Sequence, residues 1–442
     1  MISTVYIAKN VYGGDGLGRL GDGRVVFVPG AWAGEQVRAE IVEEKRHFVK
    51  ARLVEVVEAS PDRVSPTQIP YPQRPRCVAQ ASGSAVTAPR SEDAAGTVLG
   101  AGPGEEGVMP GMVYDGLSFA GEMKAKESQL RDFFERARIP VGTFHASPSP
   151  SSVAFSNYRN KVVYHFARQK GKWAIGYRTE PSHEVIDVES DPLAVPAINA
   201  KLPEIRRNVL MLLTTGPEAV RRDTERKGNV TVRWTRKTGV KWWIGDPPDG
   251  LVLKETTCGR DFEVPADGFY QVNPQVGEEL VKAVVGEYGK VRDVAPEILD
   301  LYCGVGVFGL CCNPPKLTGI ESGRQAIDFA KRNASAQKFA NARFWAERVG
   351  QNLKRISVGP RTTVIVDPPR DGMEPNVPKW LANAKAPRIF YVSCDPATLM
   401  RDLKTICRAY DVESVRWFNM FPRTARFETL VVLKRREAEA RA

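Results

Sequence analysis

Hydrophobic and polar residues alternate through most of the first sixty positions. STVYIAKNV, GRVVFVPG, EQVRAEIVEE and FVKARLVEVVEAS carry their aliphatic residues largely at every second place, the period of strands with one buried face. Gly13, Gly14, Gly16, Gly18, Gly21 and Gly23 punctuate these runs and predict the turns of a small antiparallel barrel of the OB kind. SPDRVSPTQIPYPQRPR, rich in proline and arginine, reads as a linker. Residues 78–107 are small, polar and aperiodic, which predicts a flexible insertion with little surface to bury. From about Ser118 to Arg138 apolar residues recur at helical spacing. Residues 153–262 read mainly as strands, with Tyr158, Tyr164, Trp173, Tyr177, Trp234, Trp242 and Trp243 interleaved with cations. Beyond Pro274 helical stretches alternate with short apolar runs, EILDL, TGIE, TTVIV and RIFYV, the order of a doubly wound parallel sheet. The expected architecture is α/β plus β in three parts: a barrel over 1–62, a mainly-β domain over 63–262 and a Rossmann-like domain over 263–442.

Composition narrows the class. Of 442 residues, 42% are hydrophobic and 26% charged, which excludes a chain disordered from end to end. No apolar run approaches the ~18 residues of a membrane span, and MISTVYIAKN lacks the basic-then-apolar order of a signal peptide. Seven cysteines without regular spacing predict free thiols in a cytoplasmic protein. The net charge of +11 favours a polyanionic partner. Arg38, Lys45, Arg46, Lys50 and Arg52 cluster in the second half of the barrel, either as a phosphate-tracking face or as an ordinary solvated one. The aromatic and basic central segment suits RNA, whose bases stack on rings while cations meet phosphates; ordinary core tryptophans are the alternative.

In a doubly wound sheet, ligands sit outside the carboxyl ends of the strands. Three such ends carry chemistry. The first is Asp300-Leu301-Tyr302-Cys303-Gly304-Val305-Gly306, followed by Glu321 at the end of the next strand, where an acid can accept hydrogen bonds from both hydroxyls of a ribose. Taken as a turn with two glycines, lacking the third of the dinucleotide fingerprint, it favours S-adenosylmethionine over NAD. No GxxxxGK[ST] loop is present, which excludes ATP held by a P-loop. The second is Asp367-Pro368-Pro369-Arg370, whose prolines stiffen the backbone that aims the acid. The third is Ser393-Cys394-Asp395-Pro396. A thiol just before a helix sits where the helix N-terminus lowers its pKa, while the adjacent Asp395 opposes that effect. Cys303, Cys311, Cys312 and Cys407 read as core or loop residues, and Cys258 has no evident role.

These segments, with YGGDGLGRLGDGRVVFVPGAWAGEQVRAEI, NYRNKV, SHEVIDVESDPL, FYQVNPQVGEEL and the terminal MFPRTARFETLVVL, resemble the RNA uracil-carbon-5 methyltransferases along nearly the whole chain. That resemblance implies an N-terminal TRAM barrel, S-adenosylmethionine as cofactor and RNA as substrate, with 23S ribosomal RNA favoured over transfer RNA. It assigns Cys394 as the nucleophile that adds to carbon 6 of uracil, so that carbon 5 becomes nucleophilic enough to accept a methyl group. Glu428 would be the base that removes the carbon-5 proton. Gln271, Tyr302, Gly304, Gly306, Glu321 and Asp367 would line the cofactor site. The resemblance implies neither a membrane nor a protein partner, and a monomer suffices.

The chain departs from the family where many members carry a four-cysteine iron–sulfur cluster. Cys77 keeps the first position, Met109 and Met112 stand at the next two, and Asp191 at the fourth. One thiolate cannot hold a cubane, so no cluster is expected. Val307 and Arg348 replace residues that are commonly polar near the cofactor, and Arg423 and Arg426 replace histidines of the terminal motif. Two other readings compete: a non-catalytic RNA-binding or assembly factor that retains the fold, and an RNA cytosine-carbon-5 methyltransferase. The second usually places a cysteine after a proline where this chain has DPPRDG.

Overall fold

The computed structural model describes residues 1–65, 111–147, 156–179, 184–351 and 353–437. The sequence-predicted insertion 78–107, Cys77 and Met109 lie outside these residues. The chain divides into two compact units, Met1–Glu122 with His165–Asp191, and Met123–Tyr164 with Pro192–Ala442.

The first unit opens with β1 (Ile2–Asn10), β2 (Gly16–Arg19), β3 (Val25–Val28), β4 (Gln36–Glu44) and β5 (Phe48–Glu58), which close into a barrel in the order β1-β2-β3-β5-β4. Alternation aims Val5, Ile7, Val26, Val28, Val37, Ala39, Val49, Ala51 and Leu53 inward. Closure at the β1–β2 seam depends on Gly18, where a Cβ would lie 2.4 Å from Val5 Cγ1 and 2.6 Å from the Tyr6 carbonyl oxygen. The chain leaving the barrel is held by the buried Glu35, which accepts hydrogen bonds from the Trp32 amide at 2.8 Å and Arg63 Nη2 at 2.8 Å.

Four of the five cations in the second half of the barrel, Arg38, Lys45, Lys50 and Arg52, are paired with carboxylates. β4 and β5 pair antiparallel with Arg38 opposite Glu55, Glu40 opposite Arg52 and Glu43 opposite Lys50. Each is an ion pair: Arg38–Glu55 at 3.0 Å, Lys50–Glu43 at 3.0 Å, and Arg52 with Glu40. Lys45 also meets Glu43 at 2.8 Å. The face is a cross-strand ladder of alternating sign.

Next come α1 (Phe119–Ala137), β6 (Val141–His145), β7 (Lys161–Gln169), β8 (Lys172–Arg178) and β9 (Val185–Asp187). β8 pairs antiparallel with both β7 and β9. The mainly-β expectation for 153–262 missed α2 (Pro196–Thr214) and α3 (Glu218–Lys227). Ile198, Leu202, Ile205, Val209 and Leu213 make the buried face of α2 at steps of three and four. α3 places Glu218 in its first turn and Arg226 and Lys227 in its last, and ends at Gly228 with φ +68°. β10 (Asn229–Thr235) with β11 (Gly239–Ile244), and β12 (Val252–Thr257) with β13 (Arg260–Pro265), form antiparallel hairpins.

The remaining elements are α4 (Pro274–Gly289), β14 (Glu297–Leu301), α5 (Val307–Cys312), β15 (Lys316–Glu321), α6 (Arg324–Ala336), β16 (Ala342–Ala346), β17 (Thr362–Val366), α7 (Val377–Asn383), β18 (Arg388–Ser393), α8 (Pro396–Ile406), β19 (Tyr410–Phe418) and β20 (Glu428–Arg435). One eight-stranded sheet runs β16-β15-β14-β17-β18-β20-β19-β6. β14 to β18 are parallel, as the alternating pattern predicts, while β20 inserts antiparallel beside β18. The outermost strand, β6, lies parallel to β19 and comes from far earlier in the chain. The strand order changes direction between β14 and β17, the position at which such sheets open a crevice for a ligand. No helix of the described residues is long and apolar enough to cross a membrane.

Gly18→Ala forces a methyl group into the β1–β2 seam and is expected to destabilise the barrel by about 2–3 kcal/mol. Thermal unfolding monitored by circular dichroism checks this as a lower first transition.

Candidate active site at the carboxyl ends of the sheet

The crevice is built from loops that leave adjacent strands. Leu301 of β14 pairs with Ile320 of β15 and Val366 of β17, so Tyr302, Glu321 and Asp367 emerge from neighbouring strand ends. Tyr302 takes φ +62°, Gly304 φ +53° and Gly306 φ +87°, a left-handed stretch that turns the chain sharply into α5. A Cβ on Gly304 would meet no atom within 4 Å, so the loop presents bare backbone to open space. The Tyr302 hydroxyl donates to Glu374, whose other oxygen accepts from the Gly350 amide at 3.3 Å.

The glycine reading needs one correction. Gly309 stands at the third position of a GxGxxG spacing, and a Cβ there would lie 2.6 Å from Leu317 Cδ1 and 3.0 Å from Asp300 Oδ2. It serves close packing of α5 on the sheet, so the glycines do not distinguish a dinucleotide from other adenosine ligands.

Asp300 is fully buried beneath this loop. Its Oδ2 accepts from the Gly309 amide at 3.0 Å, while Oδ1 has no hydrogen-bond partner among the described residues. Burial lifts its carboxyl to about 7. Glu321 Oε1 accepts from the Gly323 amide at 2.8 Å and from Ser322 Oγ at 3.0 Å, which leaves Oε2 for a ligand. Bare glycine backbone, a fixed carboxylate with one free oxygen and an orphaned buried acceptor fit a ligand that combines a ribose with a cationic group. Asp300 was not singled out in the sequence, because only burial makes it unusual.

Gln271 lies in the loop before α4. Its backbone oxygen accepts from Asn160 Nδ2 at 3.3 Å, and its side chain packs over the first turn of α4, where a Cβ on Gly277 would meet it at 2.8 Å. Its amide group has no hydrogen-bond partner among the described residues. Asn273 caps α4 by accepting from the Val276 amide at 3.3 Å and donates to the Met420 carbonyl at 3.3 Å. Phe269, two residues before Gln271, is 73% exposed, and no period in the sequence marks it.

The end of the crevice that holds Cys394 rests on strand register. Ser393 of β18 pairs with Thr429 of β20 and Val392 with Leu430, so Cys394 and Glu428 are the next opposing positions. Glu428 is buried, and its carboxyl is held well above the usual range by burial, then by the Asp367 charge, against the pull of Arg370. Cys394 is partly exposed and its thiol is pushed up to about 12, first by burial, then by Glu428 and Asp367, with Arg370 opposing. Asp367 is lifted to about 8 by burial, then by Asp300 and Glu321. Of the two opposing effects expected on this thiol, the upward one prevails, with Asp395 contributing after burial, Glu428 and Asp367. Asp395 spends its carboxylate on α8 itself, accepting from the Ala397 and Thr398 amides at 3.0 Å each.

The cysteines expected in the core, Cys303, Cys311 and Cys312, are buried; Cys407 is partly buried. Val307 is a partly buried residue at the start of α5, and Arg348 is exposed. Arg426 Nη1 lies 3.5 Å from Asp395 Oδ2, and Arg423 is buried with φ +67°. Among the departing cluster positions, Met112 is buried and the buried Asp191 accepts from the Tyr177 hydroxyl at 2.6 Å. A thioether and a carboxylate already engaged do not fit the thiolate set of a cubane.

Comparison with known proteins adds three findings. Residues 257–436 match the family model described as tRNA (uracil-5-)-methyltransferase, and residues 4–54 match the TRAM domain. An uncharacterized RNA methyltransferase of Thermotoga maritima is 28% identical, over 98% of this chain and 99% of its own length. One of Clostridium acetobutylicum is 25% identical, over 96% and 94%. The crystal structure of Pyrococcus abyssi tRNA (uracil-54, C5)-methyltransferase, in complex with S-adenosyl-L-homocysteine, superposes with a TM-score of 0.66 at 21% identity, covering 97% of this chain and all of that one.

A thiol held above neutrality reacts slowly until the pH is raised. Iodoacetamide labelling of Cys394, read by peptide mass spectrometry, should climb continuously from about pH 7 to about pH 10. Asp367→Asn removes a neighbouring charge and should speed labelling at about pH 8 several-fold. It should also raise the melting temperature at that pH. The folded carboxyl keeps its proton to about 8, whereas the unfolded one ionises near 3.8, so the wild type loses stability as pH rises through that window.

Proposed function

We propose that this chain, in which residues 257–436 belong to the tRNA (uracil-5-)-methyltransferase family behind a TRAM domain, methylates carbon 5 of a uridine in structured RNA through a covalent bond between Cys394 and the base. The observation that carries this reading is the β18–β20 register, which sets Cys394 across from Glu428 at the mouth of a methyltransferase-type sheet. S-adenosylmethionine supplies an electrophilic methyl group when bound. Glu321 Oε2 is suited to its ribose, Asp300 Oδ1 to its cationic end, and Gln271, Tyr302, Gly304, Gly306 and Asp367 to the rest of its outline.

Carbon 5 of uracil is a poor nucleophile. The Cys394 thiolate adds to carbon 6, the Sγ–C6 bond forms and electron density moves toward carbon 5. A thiol with a high pKa is a strong nucleophile once ionised. Burial likewise makes the ionised Glu428 a stronger base than a surface carboxylate. Once carbon 5 carries the methyl group, Glu428 takes the proton that remains there, the electrons of the C5–H bond re-form the C5–C6 double bond, and the Sγ–C6 bond breaks to release the Cys394 thiolate. Phe269 offers an exposed ring on which an unstacked base can rest. With Cys394, Glu428, Gln271 and Asp367 all present, a purely structural RNA-binding role is disfavoured.

Ribosomal RNA is the first substrate class on the strength of the barrel, and the family description of the catalytic domain favours transfer RNA as the second. Mapping of 5-methyluridine by mass spectrometry in both RNA pools from cells lacking the protein assigns one of them by its missing residue.

RNA carrying 5-fluorouridine at the target should form an adduct that survives a denaturing gel, because fluorine cannot leave as a proton does. Cys394→Ala should abolish both adduct and turnover. Glu428→Gln should slow release by about a hundredfold or more and accumulate adduct on ordinary uridine RNA. Absence of adduct with the wild type overturns the reading. Protein purified without air should contain neither stoichiometric iron nor acid-labile sulfide.

A further inference from the structure

The segment between β13 and α4 carries Phe269 and Gln271, and it is held from beneath by one buried cation. Arg233, on β10 and 1% exposed, donates from Nη1 to the carbonyl oxygens of Pro265 at 3.2 Å, Ala266 at 2.9 Å and Gly268 at 2.9 Å. Its Nε is buried without a hydrogen-bond partner among the described residues, as is Oε1 of Glu255 on β12. Arg233 and Glu255 bear on each other electrostatically, yet burial still lifts the Glu255 carboxyl to about 7.

The far end of the segment is held by Asn160. Its amide donates to the Val272 carbonyl at 2.9 Å and its Nδ2 to that of Gln271 at 3.3 Å, while its own carbonyl accepts from the Trp234 amide at 2.7 Å. Arg233 and Trp234 are consecutive on β10, and Lys161 of β7, next to Asn160, donates from Nζ to the Asp267 carbonyl at 3.1 Å, so β10 bears on both ends with β7 beside it. The Tyr270 hydroxyl, between Phe269 and Gln271, is tied to Thr257 Oγ1.

Burying a guanidinium is costly unless all its donors are used, and a hydrophobic residue of similar size often serves stability as well. The unused Nε marks Arg233 as poorly optimised for stability alone. Its Nη1 instead gathers three carbonyls of one turn, which fixes the path of the chain just before Phe269.

We infer that Arg233 is a positioning residue that sets Phe269 and Gln271 together, so that one buried cation governs affinity for both the RNA base and the adenosine cofactor. This rests on the reading under Proposed function, in which Phe269 meets RNA and Gln271 the cofactor. Residues that touch one ligand each should affect one affinity each. Arg233, which touches neither, should affect both.

The test uses the full-length protein with S-adenosylhomocysteine as the cofactor probe, measured by calorimetry, and methyl transfer to the target RNA under steady-state conditions. Phe269→Ala should raise the KM for RNA with S-adenosylhomocysteine affinity within about twofold, and Gln271→Ala should do the reverse. Arg233→Met should weaken S-adenosylhomocysteine binding and raise the RNA KM by about tenfold each, with kcat at saturation within about threefold. Arg233→Lys, which keeps a cation that can donate to the same carbonyls, should recover most of both losses. If Arg233→Met is insoluble, Asn160→Ala should show the same paired loss in milder form. Unchanged affinities in the soluble variant, or a fall in kcat alone, overturn the proposal. If the wild type transfers no methyl group, the functional reading fails, while the S-adenosylhomocysteine affinities of Arg233→Met and the wild type still decide the positioning role.

Discussion

The arrangement of the candidate site depends on one strand running the wrong way. Five parallel strands end at a common edge, but β20 enters between β18 and β19 in the opposite sense, so its first residue arrives where β18 stops. That insertion brings Glu428 to Cys394 from 34 positions further along the chain. Side chains along a strand alternate between faces, so a slip of one residue would turn Glu428 away from the thiol. The register is held by buried residues on both strands, including Phe390, Val392, Leu430 and Val432. Hydrophobic packing of the sheet interior thus fixes a geometry used at its rim.

Electrostatics at that rim follows from the same crowding. Cys394, Glu428 and Asp367 are mutually repulsive when ionised, and Arg370 is the cation that opposes them in the shifts of both Cys394 and Glu428. Burial and like charge therefore favour the protonated form of each of these groups. Buried carboxyls of this kind reduce stability at neutral pH and are retained where their basicity is useful. Asp367 links the two halves of the crevice, since its carboxyl responds to Asp300 and Glu321 on one side and influences Cys394 and Glu428 on the other.

Much of the architecture could be read before any coordinates. Period-two alternation marked the barrel strands, and the parallel sheet followed from helices alternating with apolar runs; the strand ends then pointed to Tyr302, Glu321, Asp367 and Cys394. Glu428 was legible only through family resemblance, because its distinction is a cross-strand neighbour that no local pattern encodes. The pairing of the barrel cations was hidden for the same reason: Glu40, Glu43 and Glu55 stand opposite Arg52, Lys50 and Arg38 only once the β4–β5 register is known. α2 was overlooked although its apolar residues fall at steps of three and four, since the surrounding segments are rich in strand-forming residues. Asp300 and Arg233 look ordinary in sequence and become unusual through burial.

The eighth strand of the sheet has a consequence for how the molecule is assembled. β6 leaves the ribosome long before β19, the strand it lies against, and must wait through most of the synthesis for its place. A fragment cut to the boundaries of the catalytic family match alone would leave β19 with an open row of amides and carbonyls, an invitation to pair with another molecule. The catalytic sheet is therefore not a detachable cassette: its outer hem is sewn from thread spun more than a hundred residues before the family match begins.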